Sequence, residues 1–407
     1  MLCKSITTPL LALAGAWVAN SSPLESSVRS TPVSKRWLPD GKIRGVNLGS
    51  QFIIEKWMAN DEWSKNMGCG DTSDEWSCVQ KLGQEGADSV FKKHWDSWIT
   101  QDDIKQIKSL GLNTIRIPVG FWIKEDLVHS DEYYPKGGLY YLDRIVGWAS
   151  DVGLYTIIDL HAAPGSQAKN EEFTGHGVDT PGFYTKDNYE RAYEFLEWMT
   201  ERIHQNHAYR NAGMLEIVNE PIDGSQGADM VKNYYPEAWN RIRAREAKLG
   251  VSKDKLIHIQ MMDKTWGSGD PVSSLPNNRT NAFFDDHRYY KFDTRVEATK
   301  DGYISAACKD NRGGADTVVG EWSLSVASKV EHNDEFEINN RPDQIDWYRK
   351  WWAAQVQTFE KAGGWIFWSW KCNYIGGYDD WRWCYQSAVK AQVIPQDAGS
   401  ASAINAC

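Results

Sequence analysis

Past its first twenty residues the chain contains no long hydrophobic run, which excludes a helix crossing a bilayer core of roughly 30 Å. It also lacks an excess of positive charge. Lys and Arg number 45 against 55 Asp and Glu, a formal net charge of -10, so the basic face that holds nucleic acid is not expected. Among its 7 Cys and 9 His there is no CxxC pair and no His/Cys cluster with zinc-ligand spacing. The C-terminal residues lack the hydrophobic tail of a lipid-anchored precursor. What is abundant instead is aromatic surface: 21 Trp and 18 Tyr, more than a core of this size needs, and indole and phenol faces stack on the C–H faces of sugar rings.

The N-terminus reads as export machinery. Met1-Leu-Cys-Lys4 is a short basic start, and the apolar stretch Thr8–Ala19 ends in small residues, so residues 1–19 are expected to be a signal peptide. The Ser- and Pro-rich stretch that follows ends in the dibasic Lys35-Arg36, so residues 20–36 read as a propeptide and residues 37–407 as the mature domain. Removal of Cys3 with the signal leaves six cysteines, an even number that suits disulfides in an oxidising compartment. The near neighbours Cys69/Cys78 and Cys372/Cys384 are candidate pairs in loop-like stretches, leaving Cys308 and Cys407 for a bridge that pins the C-terminus. Asn278-Arg-Thr280 is a glycosylation sequon, and Asn20-Ser-Ser22 is expected to leave with the propeptide.

Beyond Trp37, short β-branched runs alternate with longer segments of helical periodicity, the pattern of βα units around a parallel sheet. Eight strands are predicted: Ile43–Leu48, Asn113–Pro118, Leu154–His161, Met214–Asn219, Leu256–Met262, Ala282–His287, Thr317–Glu321 and Gly364–Trp370. Helices are predicted at Thr100–Leu110, Leu139–Val152, Asp187–Gln205, Lys232–Leu249 and Pro342–Lys361. Eight units in about 370 residues, with no linker between them, indicate one (β/α)8 TIM barrel with extended loops. A doubly wound open sheet is the alternative, but Gly45-Val-Asn-Leu-Gly49 after the first strand is not a phosphate-binding fingerprint.

A TIM barrel carries its chemistry at the C-terminal ends of its strands. Here those ends read Arg116, Asp159-Leu-His161, Asn219-Glu220-Pro221, His287-Arg-Tyr289, Glu321-Trp322 and Trp368-Ser-Trp370. One such residue has a dull structural explanation. So many polar groups converging on one face do not, because each would cost roughly 1–3 kcal/mol if buried and unsatisfied. The cluster Asp285-Asp286-His287 is a weak metal candidate, since neighbours on a strand point to opposite faces.

Read together, Arg44-Gly-Val-Asn-Leu-Gly49, Ile115-Arg-Ile-Pro118, Val218-Asn-Glu-Pro221, Val319-Gly-Glu-Trp322 and Trp365-Ile-Phe-Trp-Ser-Trp-Lys371 resemble glycoside hydrolase family 5. Within it the chain is similar to secreted fungal endo-β-1,6-glucanases. The first-strand motif, extended by Glu55 and Trp57, also resembles fungal exo-β-1,3-glucanases, so both linkages stay open. The resemblance implies a retaining hydrolase with Glu220 as acid/base and Glu321 as nucleophile. It implies that Asn219 binds the 2-hydroxyl, that Arg116 and Tyr289 hold the nucleophile ionised and oriented, and that His161 and His287 line the pocket. Trp368 matches the tryptophan under the sugar, with Trp370 an alternative on the same strand. Glu55 either binds a sugar hydroxyl or is a solvated charge. No metal or cofactor is expected. The expected partner is a β-glucan polysaccharide rather than nucleic acid or membrane, and the enzyme is expected to be a monomer. A noncatalytic sugar-binding barrel is the reading from another class, and it would normally show a replaced catalytic carboxylate.

Overall fold

Runs of four to eight residues form eight strands: β1 (Ile43–Asn47), β2 (Thr114–Gly120), β3 (Tyr155–Ala162), β4 (Ala212–Glu216), β5 (His258–Met262), β6 (Ala282–His287), β7 (Thr317–Glu321) and β8 (Gly364–Phe367). Each pairs in parallel with the next, and β8 pairs with β1 through Ile43–Gly364 to Val46–Phe367, which closes the barrel. In this computed structural model residues 38–339, 341–373 and 381–407 are described, all within the unit Pro32–Cys407. The expected signal peptide and propeptide lie outside the described residues.

Between β1 and β2 come α1 (Glu75–Leu82), α2 (Gln84–Ser97) and α3 (Gln101–Ser109); α4 (Gly138–Asp151), α5 (Lys186–Gln205) and α6 (Gly224–Lys248) follow β2, β3 and β4. After β6, β7 and β8 come α7 (Lys300–Lys309), α8 (Pro342–Phe359) and α9 (Tyr385–Lys390). Short 3₁₀ turns, Lys264–Trp266 and Pro271–Ser273, connect β5 to β6. Side-chain caps fix several starts: Asp74 and Ser77 form a capping box on α1, and Thr100 and Asp103 another on α3.

Three boundaries differ from the sequence reading by three residues or more, one of them the end of β8, which stops at Phe367 rather than Trp370. β4 stops at Glu216, so Asn219 and Glu220 stand on the loop beyond it, and Glu220 has φ +39°. α6 begins at Gly224 rather than Lys232, because its first two turns carry no apolar periodicity that would announce them. Gly227 in those turns packs so closely that a Cβ there would lie 2.1 Å from the Ile222 carbonyl oxygen.

The period of two along each strand sorts the barrel interior into layers. Ile43, Ile157, Met214, Phe283, Val318 and Ile366 form an apolar plug at the N-terminal end. Two residues further on the same faces come Asp159 on β3, Glu216 on β4 and Asp285 on β6, all buried. Two further again stand His161 and His287. A larger apolar core lies between strands and helices. The six cysteines pair as Cys69–Cys78, Cys308–Cys407 and Cys372–Cys384. Among the described residues no helix is long and apolar enough to cross a membrane.

Candidate active site

The polar layer is organised by Arg116, whose guanidinium is fully buried. Its Nε donates to Glu216 Oε2 at 2.9 Å, Nη1 to Asn47 Oδ1 and to Glu321 Oε1 at 3.0 Å each, and Nη2 to Asn219 Oδ1 at 2.8 Å. Asp159 lies 3.0 Å and Asp285 3.6 Å from the same Nη2. Burial disfavours this cation, but the surrounding carboxylates outweigh it and hold the arginine's pKa well above its ordinary value.

One guanidinium cannot balance four buried carboxylates, and Glu216 resolves part of the excess. Burial pushes its pKa well above the usual carboxylate range. Its Oε1 and Asp285 Oδ2 are both buried without a hydrogen-bond partner when both groups are ionised, so a proton on Glu216 directed at Asp285 satisfies the two together. Burial works against ionised Asp285, yet His287, Arg116 and Glu216 hold its pKa below the ordinary value. Gly320 makes room: its N–H donates to Asp285 Oδ1 at 2.8 Å, and a Cβ there would sit 2.1 Å from that oxygen.

Above this layer the two glutamates face each other. Glu321 Oε2 accepts from the Tyr289 hydroxyl at 2.8 Å, and burial raises the pKa of the Glu321 carboxyl against the opposing pull of His287 and Arg116. Glu220 Oε1 is 2.5 Å from His287 Nδ1, which also lies 3.5 Å from Glu321 Oε2. Burial alone would strip the His287 proton, but the charges of Glu321, Asp285 and Glu220 hold its pKa well above the histidine range. The positive φ of Glu220 is a conformation that costs of order 1–3 kcal/mol in a non-glycine residue and persists where the surroundings enforce it.

Asn219 has a settled orientation, because Arg116 has only donors to offer and so faces the amide oxygen. The Asn219 Nδ2 is consequently left buried with no partner, at the wall of the cleft. His161 Nδ1 bonds Asp159 Oδ2 at 2.6 Å, and its ring stacks on Trp368 with centroids 5.6 Å apart.

These groups open into a cleft of about 770 Å³, lined by Glu55, His161, Asn219, Glu220, His287, Tyr289, Glu321 and Trp368 among others. Arg116 lies beneath it, together with Asp159. Trp57 and Trp383 meet edge-to-face at 5.0 Å and wall one side, with the Cys372–Cys384 disulfide directly behind. Glu55 is not a solvated charge: it is 7% exposed, its Oε2 accepts from Trp57 Nε1 at 2.8 Å, and burial raises its pKa well above the carboxylate range. Trp370, the alternative to Trp368, turns away from the cleft and donates to Asp103 Oδ1 at 3.0 Å. Asp286 also points outward, to Arg312 and to Thr265 at 2.8 Å.

Glu220, His287 and Glu321 place one possible ligand atom each within 4.8 Å of one another. A metal ligand must be a neutral imidazole, so the raised pKa of His287 makes this trio a poor fit for a cation.

Sequence reading missed Glu216, Asp285 as a buried partner, Asn47, and the cleft residues Glu171, Phe173, Trp266, Phe292 and Trp383. The first two were detectable from period-two spacing, at one step before His287 on β6 and one step after Met214 on β4. The loop aromatics carry no such signal.

Two carboxyl groups this close, across an aromatic-walled cleft, meet the needs of glycosidic bond cleavage: one exchanges a proton while the other attacks. At the mouth of a closed (β/α)8 barrel they define a glycoside hydrolase. Residues 79–373 match the family described as Cellulase (glycosyl hydrolase family 5), and the chain belongs to that family. It is 56% identical over 371 residues to glucan endo-1,6-beta-glucosidase B of Emericella nidulans, covering 90% of this chain and 88% of that one. Identity to the probable glucan endo-1,6-beta-glucosidase B of Neosartorya fischeri is 50% over 401 residues, 98% and 97% of the two chains. A glucan 1,3-beta-glucosidase of Candida oleophila is 31% identical over 405 residues, 90% and 91% of the two chains. Among solved structures, the rutinosidase from Aspergillus niger has a TM-score of 0.66 at 21% identity, over 87% of this chain and 98% of that one, a likeness of fold.

Proposed function

We propose that this chain is a secreted, monomeric enzyme that cuts β-1,6-glucan internally with retention of configuration, Glu321 acting as nucleophile and Glu220 as acid/base. The mechanism rests on one observation above all. An oxygen of Glu220 and an oxygen of Glu321 lie within 4.8 Å, a separation that suits direct attack by one carboxylate and leaves no room for the water of an inverting site. The linkage rests on relatives at 56% and 50% identity named for endo-1,6 cleavage, against 31% for the relative named for 1,3 cleavage.

In the first step Glu321 attacks the anomeric carbon while Glu220 gives its proton to the departing oxygen. Water then enters, Glu220 takes its proton, and hydroxide character at the anomeric carbon displaces Glu321. Arg116 and Tyr289 favour the ionised, oriented nucleophile. The unpaired Nδ2 of Asn219 is positioned to donate to the 2-hydroxyl, a bond that strengthens as positive charge develops on the ring. Trp368 offers a stacking face, and the Glu55 carboxyl a hydrogen-bonding partner for a sugar hydroxyl. Three disulfides suit an oxidising compartment, with residues 1–19 as the signal, 20–36 as the propeptide and the mature enzyme starting near Trp37.

The test is reducing-end release with product sizing on pustulan, laminarin and carboxymethyl-cellulose in parallel. The expected outcome is fastest cleavage of pustulan, with short oligosaccharides appearing before glucose. Fastest cleavage of laminarin, with glucose as the only early product, would assign the enzyme to exo-β-1,3 cleavage.

A further inference from the structure

Beneath the acid/base, a line of titratable groups runs down into the barrel: Glu220, His287, Asp285 and Glu216. Glu220 Oε1 lies 2.5 Å from His287 Nδ1, and the other ring nitrogen, Nε2, lies 3.4 Å from Asp285 Oδ2. Period two on β6 sets the second contact, since Asp285 stands one step below His287 on the same inward face. His287 Nε2 is buried and has no other hydrogen-bond partner, so a proton on it points at Asp285. Asp285 is itself held in place, because its Oδ1 accepts from the Gly320 N–H at 2.8 Å. At the foot of the line, Glu216 Oε2 accepts from Arg116 Nε at 2.9 Å, which leaves the buried Oε1 for the proton it shares with Asp285.

We propose that Asp285 is a positioning residue for the acid/base: kept ionised by the proton on Glu216, its carboxylate is the fixed counter-ion that holds His287 charged against Glu220 through both chemical steps. The inference rests on the assignment of Glu220 as acid/base.

Three carboxylates face the His287 ring: Glu220 on the loop after β4, Asp285 on β6, and Glu321 on β7 with Oε2 at 3.5 Å. The edge of Trp266, 5.7 Å away on the turn after β5, brings no charge. Arg116 on β2 and Glu216 on β4 stand behind Asp285, and the Tyr289 phenol stands behind Glu321. Glu55 and Glu171 act on Glu220 from the loops after β1 and β3. Two of the three facing carboxylates change during turnover. Glu321 becomes a neutral ester, and Glu220 gives up a proton and takes one back. Asp285 does not line the cleft and is changed by neither step, so its charge is the constant one. A charged imidazole beside Glu220 then stabilises the carboxylate that remains once the proton has left for the departing oxygen.

The test is the pH profile of kcat/KM for the full-length enzyme, on whichever β-glucan it cuts fastest. The basic limb reports loss of the last proton shared by Glu220 and His287. Removing the Asp285 charge makes that proton easier to lose, so Asp285→Asn should move the limb to lower pH by about one unit or more. Glu216→Gln exchanges an uncharged carboxyl for an uncharged amide that can still accept from Arg116 and donate to Asp285, so the limb should stay in place. An unmoved limb in Asp285→Asn would overturn the proposal. So would an equal downward shift in Glu216→Gln, which would put the charge on Glu216 instead. Should Asp285→Asn not fold, nitrogen NMR of histidine-labelled wild type and Glu216→Gln decides the matter. The His287 signals, assigned by their loss in His287→Gln, should show both ring nitrogens protonated at neutral pH, and a deprotonated Nε2 would overturn the proposal. The acid/base reading fails separately if Glu220→Ala keeps the basic limb on an aryl β-glucoside, and the NMR result then still decides whether Asp285 holds His287 charged.

Discussion

Arg116 and Tyr289 each hold one oxygen of Glu321, and the two contacts act in the same direction on its proton. Both favour the ionised form, while burial favours the protonated one and wins in net direction. The acid limb of kcat/KM should therefore lie above the ordinary glutamate value of about 4.3, activity being lost as pH falls through the raised pKa. Tyr289→Phe removes a donor to the charged form, so the Glu321 pKa rises further and the limb moves to higher pH. A hydrogen bond to a charged group contributes roughly 1.5–3 kcal/mol, so kcat/KM should fall about tenfold to a hundredfold. A pH–rate profile with an unmoved acid limb would show that the phenol does not act on this carboxylate. At this scale much of the site is legible in sequence. Glu220, Glu321, His161, His287 and Tyr289 stand out because strands or the loops just beyond them end in polar residues that a core has no use for. Period-two spacing places Glu216 and Asp285 inside the barrel, but their shared proton leaves no trace, because such a pair reads in sequence like any two strand-borne acids.

The loop from β1 to α1 shows how an element is held without regular structure of its own. Glu75, in the first turn of α1, is fully buried, and its Oε1 accepts from the Ile54 N–H at 3.0 Å, next to Glu55. Its Oε2 has no partner, and burial raises its pKa well above the carboxylate range. A carboxyl whose folded pKa is raised above its unfolded value contributes fully below the unfolded value, and that contribution is lost as pH rises through the folded one. Glu75→Gln keeps the acceptor for Ile54 and removes the charge. Its melting temperature relative to wild type should therefore climb steadily as pH is raised, as thermal unfolding across a pH series would record. A constant difference would mean that Glu75 does not titrate in the folded protein. Elements were read from sequence where periodicity is strong: α4, α5 and α8 lie within about two residues of their expected bounds. The end of β4 was not, since Ile217 and Val218 extend the apolar run past the last paired residue. Beyond it the backbone passes through Glu220, which has φ +39°.

For the whole molecule, the barrel supplies a rigid ring, and the chemistry depends on what that ring sets opposite what. β4 and β7 do not pair with each other, yet their ends deliver Glu220 and Glu321 to within 4.8 Å, with His287 from β6 between them. The walls come from far apart in sequence: Trp57 follows β1, Trp266 follows β5 and Trp383 follows β8. Only the closed topology brings them to one cleft, and so the barrel was legible in sequence while the shape of its mouth was not. Retention of configuration is the property that depends on this entire arrangement. It is read most directly by proton NMR of the first minutes of hydrolysis of a β-1,6-linked gluco-oligosaccharide, before the new reducing end equilibrates. The expected result is a β-anomeric signal that appears first and later decays toward the α/β mixture. An α-anomeric signal appearing first would contradict the direct attack of Glu321 and require a water between the two carboxylates.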